Sequence, residues 1–243
     1  MMLESKTAIV YGGAGAIGSA VARAFAREGA RVFLAGRTVP ALNEVAEGIR
    51  STGGLAEVAQ LDVLDRTAVD AHAASVAGAN DGIDIAFNAT SNDDVQGTPL
   101  VDLTYSDFIR PVTKSVTAHF NIATAVARHM TIRGSGAILV MAGGREAIPS
   151  LGGSHVAWSA LAGLCRQLAA DLGPHGVRVA WLLSPGSPDP ADEGTHDPNA
   201  PAGLLGRRPT LDDVANVATF LASGWASTMT ATEVNITGGA VID

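Results

Sequence analysis

The sequence predicts an α/β fold: one doubly wound domain, residues 1–243, with a seven-stranded, mainly parallel sheet and helices on both faces. Three observations predict it. Short runs that are apolar on both faces recur along the chain, which is how strands read when helices cover both sides of a sheet. Each run is followed by a segment of helical periodicity, and βα order with right-handed crossovers gives double winding. The chain has 243 residues, 47% apolar and 16% charged, enough to bury a large core.

The elements follow in order. Residues 7–11 are a short β-rich run. Residues 16–28 place Ile17, Val21, Ala24 and Phe25 on one helical face. A strand over 32–35 and a helix over 42–49 come next, then a strand over 58–63 and a helix over 66–77. The fourth strand is 83–88. A long helix spans 106–132, with Pro111 near its start. A fifth strand over 137–141, a helix over 154–172, a sixth strand over 177–183, a helix over 211–222 and a last strand over 233–236 complete the chain. Segment 184–209 is rich in Pro, Gly and Asp. It follows the sixth strand and reads as a lid or substrate loop at the carboxyl edge of the sheet.

Composition excludes several roles. A formal net charge of −8 disfavours nucleic acid and anionic membrane, both polyanions. No apolar run reaches the roughly 18 residues of a membrane helix. A lone cysteine, Cys165, forms no intrachain disulfide, so a cytoplasmic location is expected; mid-helix, it reads as core. The N-terminus runs straight into a strand rather than through a signal peptide. No His/Cys/Asp spacing predicts a metal site.

The sharpest motif is Tyr11, Gly12, Gly13, Ala14, Gly15, Ala16, Ile17 and Gly18, where the first strand turns into the first helix. Small residues there let backbone approach a pyrophosphate, and the helix N-terminus offers N–H groups and partial positive charge. With a strand before it and an amphipathic helix after it, the turn reads as the dinucleotide site of a Rossmann domain. The second strand ends at Leu34, Ala35 and Gly36, followed by Arg37. An acid in this place would hold the ribose 2′-hydroxyl of NAD(H). A guanidinium suits a 2′-phosphate, so NADP(H) is favoured over NAD(H). The competing reading of Arg37 is a solvated surface charge.

These residues, with others in the same order, resemble the short-chain dehydrogenases/reductases over essentially the whole chain. The family's glycine motif matches Gly12, Ala16 and Gly18, with Tyr11 in place of the usual Thr. The resemblance implies adenine contact by Asp62, beside Val63. It implies a cofactor-lining turn at Asn88 and Ala89, with Thr90 for the usual Gly, and a nicotinamide contact at Pro185 and Gly186. The stretch from Asp213 through Ser223 to Gly239 also matches.

The family's active site uses an Asn, a Ser, a Tyr and a Lys. Aligned by flanking elements, these roles fall on Ser115, Gly143, Ser154 and Trp158. Trp158 carries no cation, and a serine hydroxyl is too weakly acidic for the usual proton transfer, which needs a tuned group near neutral pH. The resemblance therefore implies a divergent member with catalytic positions vacant. His155 is the nearest substitute acid, since imidazole titrates near pH 6.5. One helical step nevertheless turns it about 100° from the vacant position. Lys114, beside Ser115, meets the same objection. Arg145 and Glu146 line a pocket or form a surface ion pair. Asp93 and Asp94 read as a solvated loop, and His119 as a packing or interface residue.

The family's assembly implies a homotetramer, or else a dimer, through the helices 106–132 and 154–172. The second is rich in Ala157, Ala160, Leu161, Leu164 and Leu168. Three functions stay open: an NADP(H) oxidoreductase with a non-standard active site acting on a small molecule, a protein that holds NADP(H) without turning it over, and a non-redox lyase, cyclase or isomerase reusing the pocket.

Overall fold

The computed structural model describes residues 1–183 and 203–242. Seven strands form one sheet in the order β3-β2-β1-β4-β5-β6-β7, and all six described pairings are parallel. The strands are β1 (Thr7–Tyr11), β2 (Arg31–Gly36), β3 (Leu55–Gln60), β4 (Ile85–Asn88), β5 (Gly136–Ala142), β6 (Val177–Leu183) and β7 (Thr232–Asn235). The helices are α1 (Ala16–Arg27), α2 (Val39–Ser51), α3 (Arg66–Ala79), α4 (Tyr105–Arg133), α5 (Ser154–Leu172) and α6 (Leu211–Ala222).

Side chains alternate across the sheet as a period of two requires. On β1, Ala8 and Val10 enter the core shared with α1, α2 and α6, while Ile9 and Tyr11 enter the core shared with α3, α4 and α5. On α5, Ala157, Leu161, Cys165 and Leu168 are buried, a 3.6-residue stripe facing the sheet. Ala160 and Leu164 are only partly covered. His119 and Cys165 pack in the core.

Helix starts are set by side-chain caps that satisfy otherwise free N–H groups. Asp65 accepts from Ala68 N–H on α3, and Thr104 accepts from Asp107 N–H on α4. Thr210 and Asp213 form a reciprocal capping box on α6. At the amino edge of the sheet, buried Asp84 accepts from Lys6 Nζ at 3.0 Å and from Thr7 N–H at 2.9 Å. Arg133, at the end of α4, lies 3.5 Å from the same carboxylate.

One strand differs from expectation. The apolar run 58–63 suggested β3, whereas the strand is Leu55–Gln60. Its register is fixed by β2, Arg31 opposite Leu55 through Gly36 opposite Gln60. The chain then leaves the sheet because the Asp62 carboxylate turns back to accept from Leu64 N–H at 2.9 Å. As an edge strand, β3 is covered on one side only, so its polar alternation hid it. Pro111 lies inside α4, near its start, as expected.

Candidate active site at the carboxyl edge

Strand order reverses between β1 and β4, so their carboxyl ends open a crevice, the place where doubly wound sheets hold ligands. The glycine turn sits there. Gly12 N–H donates to Ala35 O at 2.9 Å, and Ala89 N–H donates to Tyr11 O at 3.0 Å. Gly12 has φ +78°, and a Cβ on it would lie 2.6 Å from Ala89 O. A Cβ on Gly18 would run into Gly12 O. These glycines thus let three backbone segments meet at the mouth of α1. The helix begins at Gly15 with no side chain capping it, leaving the first-turn N–H groups of Ala16, Ile17 and Gly18 for an outside acceptor. This uncapped cradle fits the diphosphate of a dinucleotide.

Arg37 is exposed at the end of β2, with no acid beside it in sequence. Asp62 is exposed, its Oδ1 engaged by Leu64 N–H. Val63 is buried, its carbonyl accepting from Asn121 Nδ2 at 3.0 Å. Asn88 is buried at the end of β4, where its Oδ1 accepts from the backbone and hydroxyl of Thr90. Pro185, Gly186 and positions 184–202 of the expected lid lie outside the described residues.

Tyr11 and Asn88 are register partners across β1 and β4, and each holds a buried polar atom without a hydrogen-bond partner among the described residues, Tyr11 Oη and Asn88 Nδ2. The Tyr11 ring instead meets His72 edge-on, centroids 6.0 Å apart. Burial raises the Tyr11 phenol above its ordinary pKa and lowers that of His72. Tyr11→Phe is therefore expected to raise stability by up to ~1 kcal/mol, because an unbonded buried hydroxyl is removed. Thermal melts test this; a clear fall in Tm would mean that the hydroxyl has a bound water as partner.

Of the four positions on which the catalytic roles were expected, Ser115 lies in α4, Gly143 directly follows β5, and Ser154 and Trp158 lie in the first turns of α5. Trp158 is partly buried, and its indole lies flat on Gly143: a Cβ there would fall inside the ring, against Cε2, Cδ2 and Cζ2. The two residues form one packing unit. Ser154, fully buried at the head of α5, donates its hydroxyl to Asp94 Oδ2. Ser115 is buried in α4, and its carbonyl accepts from His119 Nδ1 at 2.7 Å. That bond places the proton on Nδ1. Full burial lowers the His119 pKa to about 4, so the ring keeps the single Nδ1 proton and takes up no second one near pH 7.

Several expectations change. Asp93 and Asp94 are not simply solvated loop residues. Asp93 pairs with Lys114, a pairing that holds its carboxyl below the usual range, and Asp94 meets Ser154. Arg145 pairs with Glu233 of β7, Nε to Oε1 at 2.9 Å. Glu233 also accepts from Trp181 Nε1 at 2.7 Å. Glu146 is exposed. His155 is partly buried, with Nδ1 unpartnered among the described residues. No described group of three or more His, Cys, Asp or Glu residues is placed to hold a metal. No described helix is long and apolar enough to cross a membrane.

Comparison with known proteins agrees with this architecture. The family model described as enoyl-(acyl carrier protein) reductase matches residues 12–241. An uncharacterised oxidoreductase of Bacillus subtilis is 30% identical, with 98% of this chain and 91% of that protein covered. D-threitol dehydrogenase of Mycolicibacterium smegmatis is also 30% identical, over 99% of this chain and 94% of its own length. The crystal structure of an NAD+-bound xylitol dehydrogenase superposes with a TM-score of 0.89 at 26% identity, covering 98% of this chain and all (100%) of that one.

Proposed function

Because this chain belongs to the short-chain dehydrogenase/reductase family of oxidoreductases, we propose that it binds NADP(H) and acts on a small carbonyl or alcohol through a non-standard active site. The observation that carries this reading is the glycine turn at the uncapped start of α1, with Arg37 exposed at the end of β2. The dinucleotide, when bound, supplies hydride chemistry. The first-turn amides of α1 hold its diphosphate, and Arg37 pairs with the 2′-phosphate. Asp62, Val63, Asn88 and Ala89 line the adenosine and ribose side. The Trp158 indole covers Gly143 and keeps water off the end of β5. Polyols are a reasonable first substrate class, since the similar proteins include dehydrogenases named for threitol and xylitol.

A titration with NADPH and NADH, followed by fluorescence or calorimetry on the wild type and Arg37→Ala, tests the reading. NADPH is expected to bind more tightly, and Arg37→Ala to weaken it by about 10- to 100-fold, the size of a lost charge-assisted contact. NADH affinity should hardly change. Equal binding of the two nucleotides by the wild type would overturn the NADP(H) assignment.

A second reading, retention of NADP(H) without turnover, is favoured by the uncharged Trp158 on Gly143 and by the full burial of the Ser154 hydroxyl. Steady NADPH oxidation with any member of a broad carbonyl panel would remove it. We assign the protein to the cytoplasm as a homotetramer, or else a dimer. Phe120 and Val156 support α4 and α5 as the contact surface, since both are exposed there.

A further inference from the structure

The loop between β4 and α4 brings a carboxylate to the crevice, where it is held from the head of α5. The Ser154 hydroxyl donates to Asp94 Oδ2, and Gln96 Nε2 donates to the same oxygen. Asp94 Oδ1 has no hydrogen-bond partner among the described residues, and the side chain is partly exposed. The loop itself is fixed. Gly97 N–H donates to Ser150 O at 2.9 Å, the Asp93 carboxylate pairs with Lys114, and the Asp93 carbonyl accepts from Arg110 Nε at 3.1 Å. Ser154 and Trp158 are one turn apart on the same face of α5, so the carboxylate and the indole over Gly143 belong to one wall. A carboxyl group with one oxygen anchored and the other free, at the strand ends of a doubly wound sheet, is placed to exchange a proton with a ligand.

We propose that Asp94 is the residue that exchanges a proton with the substrate oxygen, with Ser154 as its positioning residue. The substrate class is a carbonyl/alcohol pair, and the proposal rests on the oxidoreductase reading above. In the reducing direction Asp94 gives its proton to the oxygen as C=O becomes C–O–H. The carbon takes the hydride supplied by a reduced nicotinamide dinucleotide, and solvent returns a proton to the carboxylate. The oxidising direction reverses each transfer. The charged and titratable groups around the loop are Asp93, Lys114 and Arg110, His155 beside Ser154, and Arg37, whose charge reaches Asp93.

Asp94→Asn keeps the shape and the bond from Ser154 while removing the exchangeable proton. Wild type, Asp94→Asn and Ser154→Ala are compared in three ways: NADPH titration, tryptophan emission against pH without nucleotide, and rates over pH with panels of aldehydes, ketones and polyols. NADPH binding should be the same in all three proteins. The wild type should show a pH dependence of emission and of reduction rate that Asp94→Asn lacks. Asp94→Asn should lose about 100-fold or more in kcat with KM little changed, the usual contribution of a general acid. Ser154→Ala should lose less and alter the pH profile.

An Asp94→Asn enzyme within threefold of wild type, or with the same pH profile, overturns the proposal. So does a wild type that binds NADPH and turns over nothing in the panels, an outcome that leaves the binding reading standing. A wild type that fails to bind NADPH overturns the binding reading itself, and the titration identifies that failure separately.

Discussion

Gly143→Ser will unseat Trp158. A Cβ at 143 coincides with the indole, meeting three of its ring carbons, and β5 is fixed between β4 and β6. The ring must therefore leave, because the strand does not. Overpacking of this kind costs about 2–3 kcal/mol, which for a chain of this size lowers Tm by roughly 5–10 °C. Indole emission should shift to the red as Trp158 enters water. In a Trp158→Ala background the same serine should cost almost nothing, and the double-mutant cycle should return a coupling energy close to the whole single-variant penalty. Additive penalties would mean that the two residues do not share the contact.

Gly12→Ala should be nearly as severe, by two separable mechanisms. At φ +78° an L-residue pays about 1–2 kcal/mol for the left-handed conformation. The new Cβ would also stand 2.6 Å from Ala89 O, a backbone oxygen with no rotamer to escape into. The turn must open, and the first-turn amides of α1 move with it. Loss of about 2–3 kcal/mol of stability and of about 100-fold in NADPH affinity, or ~2.7 kcal/mol, are the expected results. Gly53→Ala is the control. Gly53 has φ +86°, and a Cβ on it would meet nothing within 4 Å, so it reports the dihedral cost alone. If both variants melt together, the close approach to Ala89 contributes nothing.

Much of the fold can be read from local pattern. β1, β4 and β6 are buried on both faces, and their continuous apolar runs state that directly. The glycine turn is legible because its residue pattern is local: the small residues and the uncapped helix start fall within eight consecutive residues, 11–18, although the backbone they let approach belongs to Ala35 and Ala89. β3 is harder because it lies at an edge, where one face is wet and the polar alternation resembles a loop. The contacts between Asp94 and Ser154, and between Arg145 and Glu233, join residues 60 and 88 positions apart. No periodicity encodes such pairings; they arise from the order of the strands. The acids at 93 and 94 gave one usable signal, their place just after a strand at the carboxyl edge, but a solvated turn presents the same pattern. The fit of Trp158 on Gly143 carries no sequence signal in either residue alone. It is visible only when positions 143 and 158 are considered as a pair.

The reversal of strand order between β1 and β4 has a consequence for how such a protein changes over generations. On the proposed reading, the glycine turn and Arg37, which would grip the diphosphate and the 2′-phosphate, lie within the first forty positions of the chain, whereas Asp94, Gly143 and Ser154 follow β4 and β5. The two sets then occupy largely separate stretches of gene. Mutation can therefore rework one without disturbing the other, and selection can hold the grip constant while the chemistry drifts. A lineage can exchange its reaction, or give it up, and still inherit an intact nucleotide cradle.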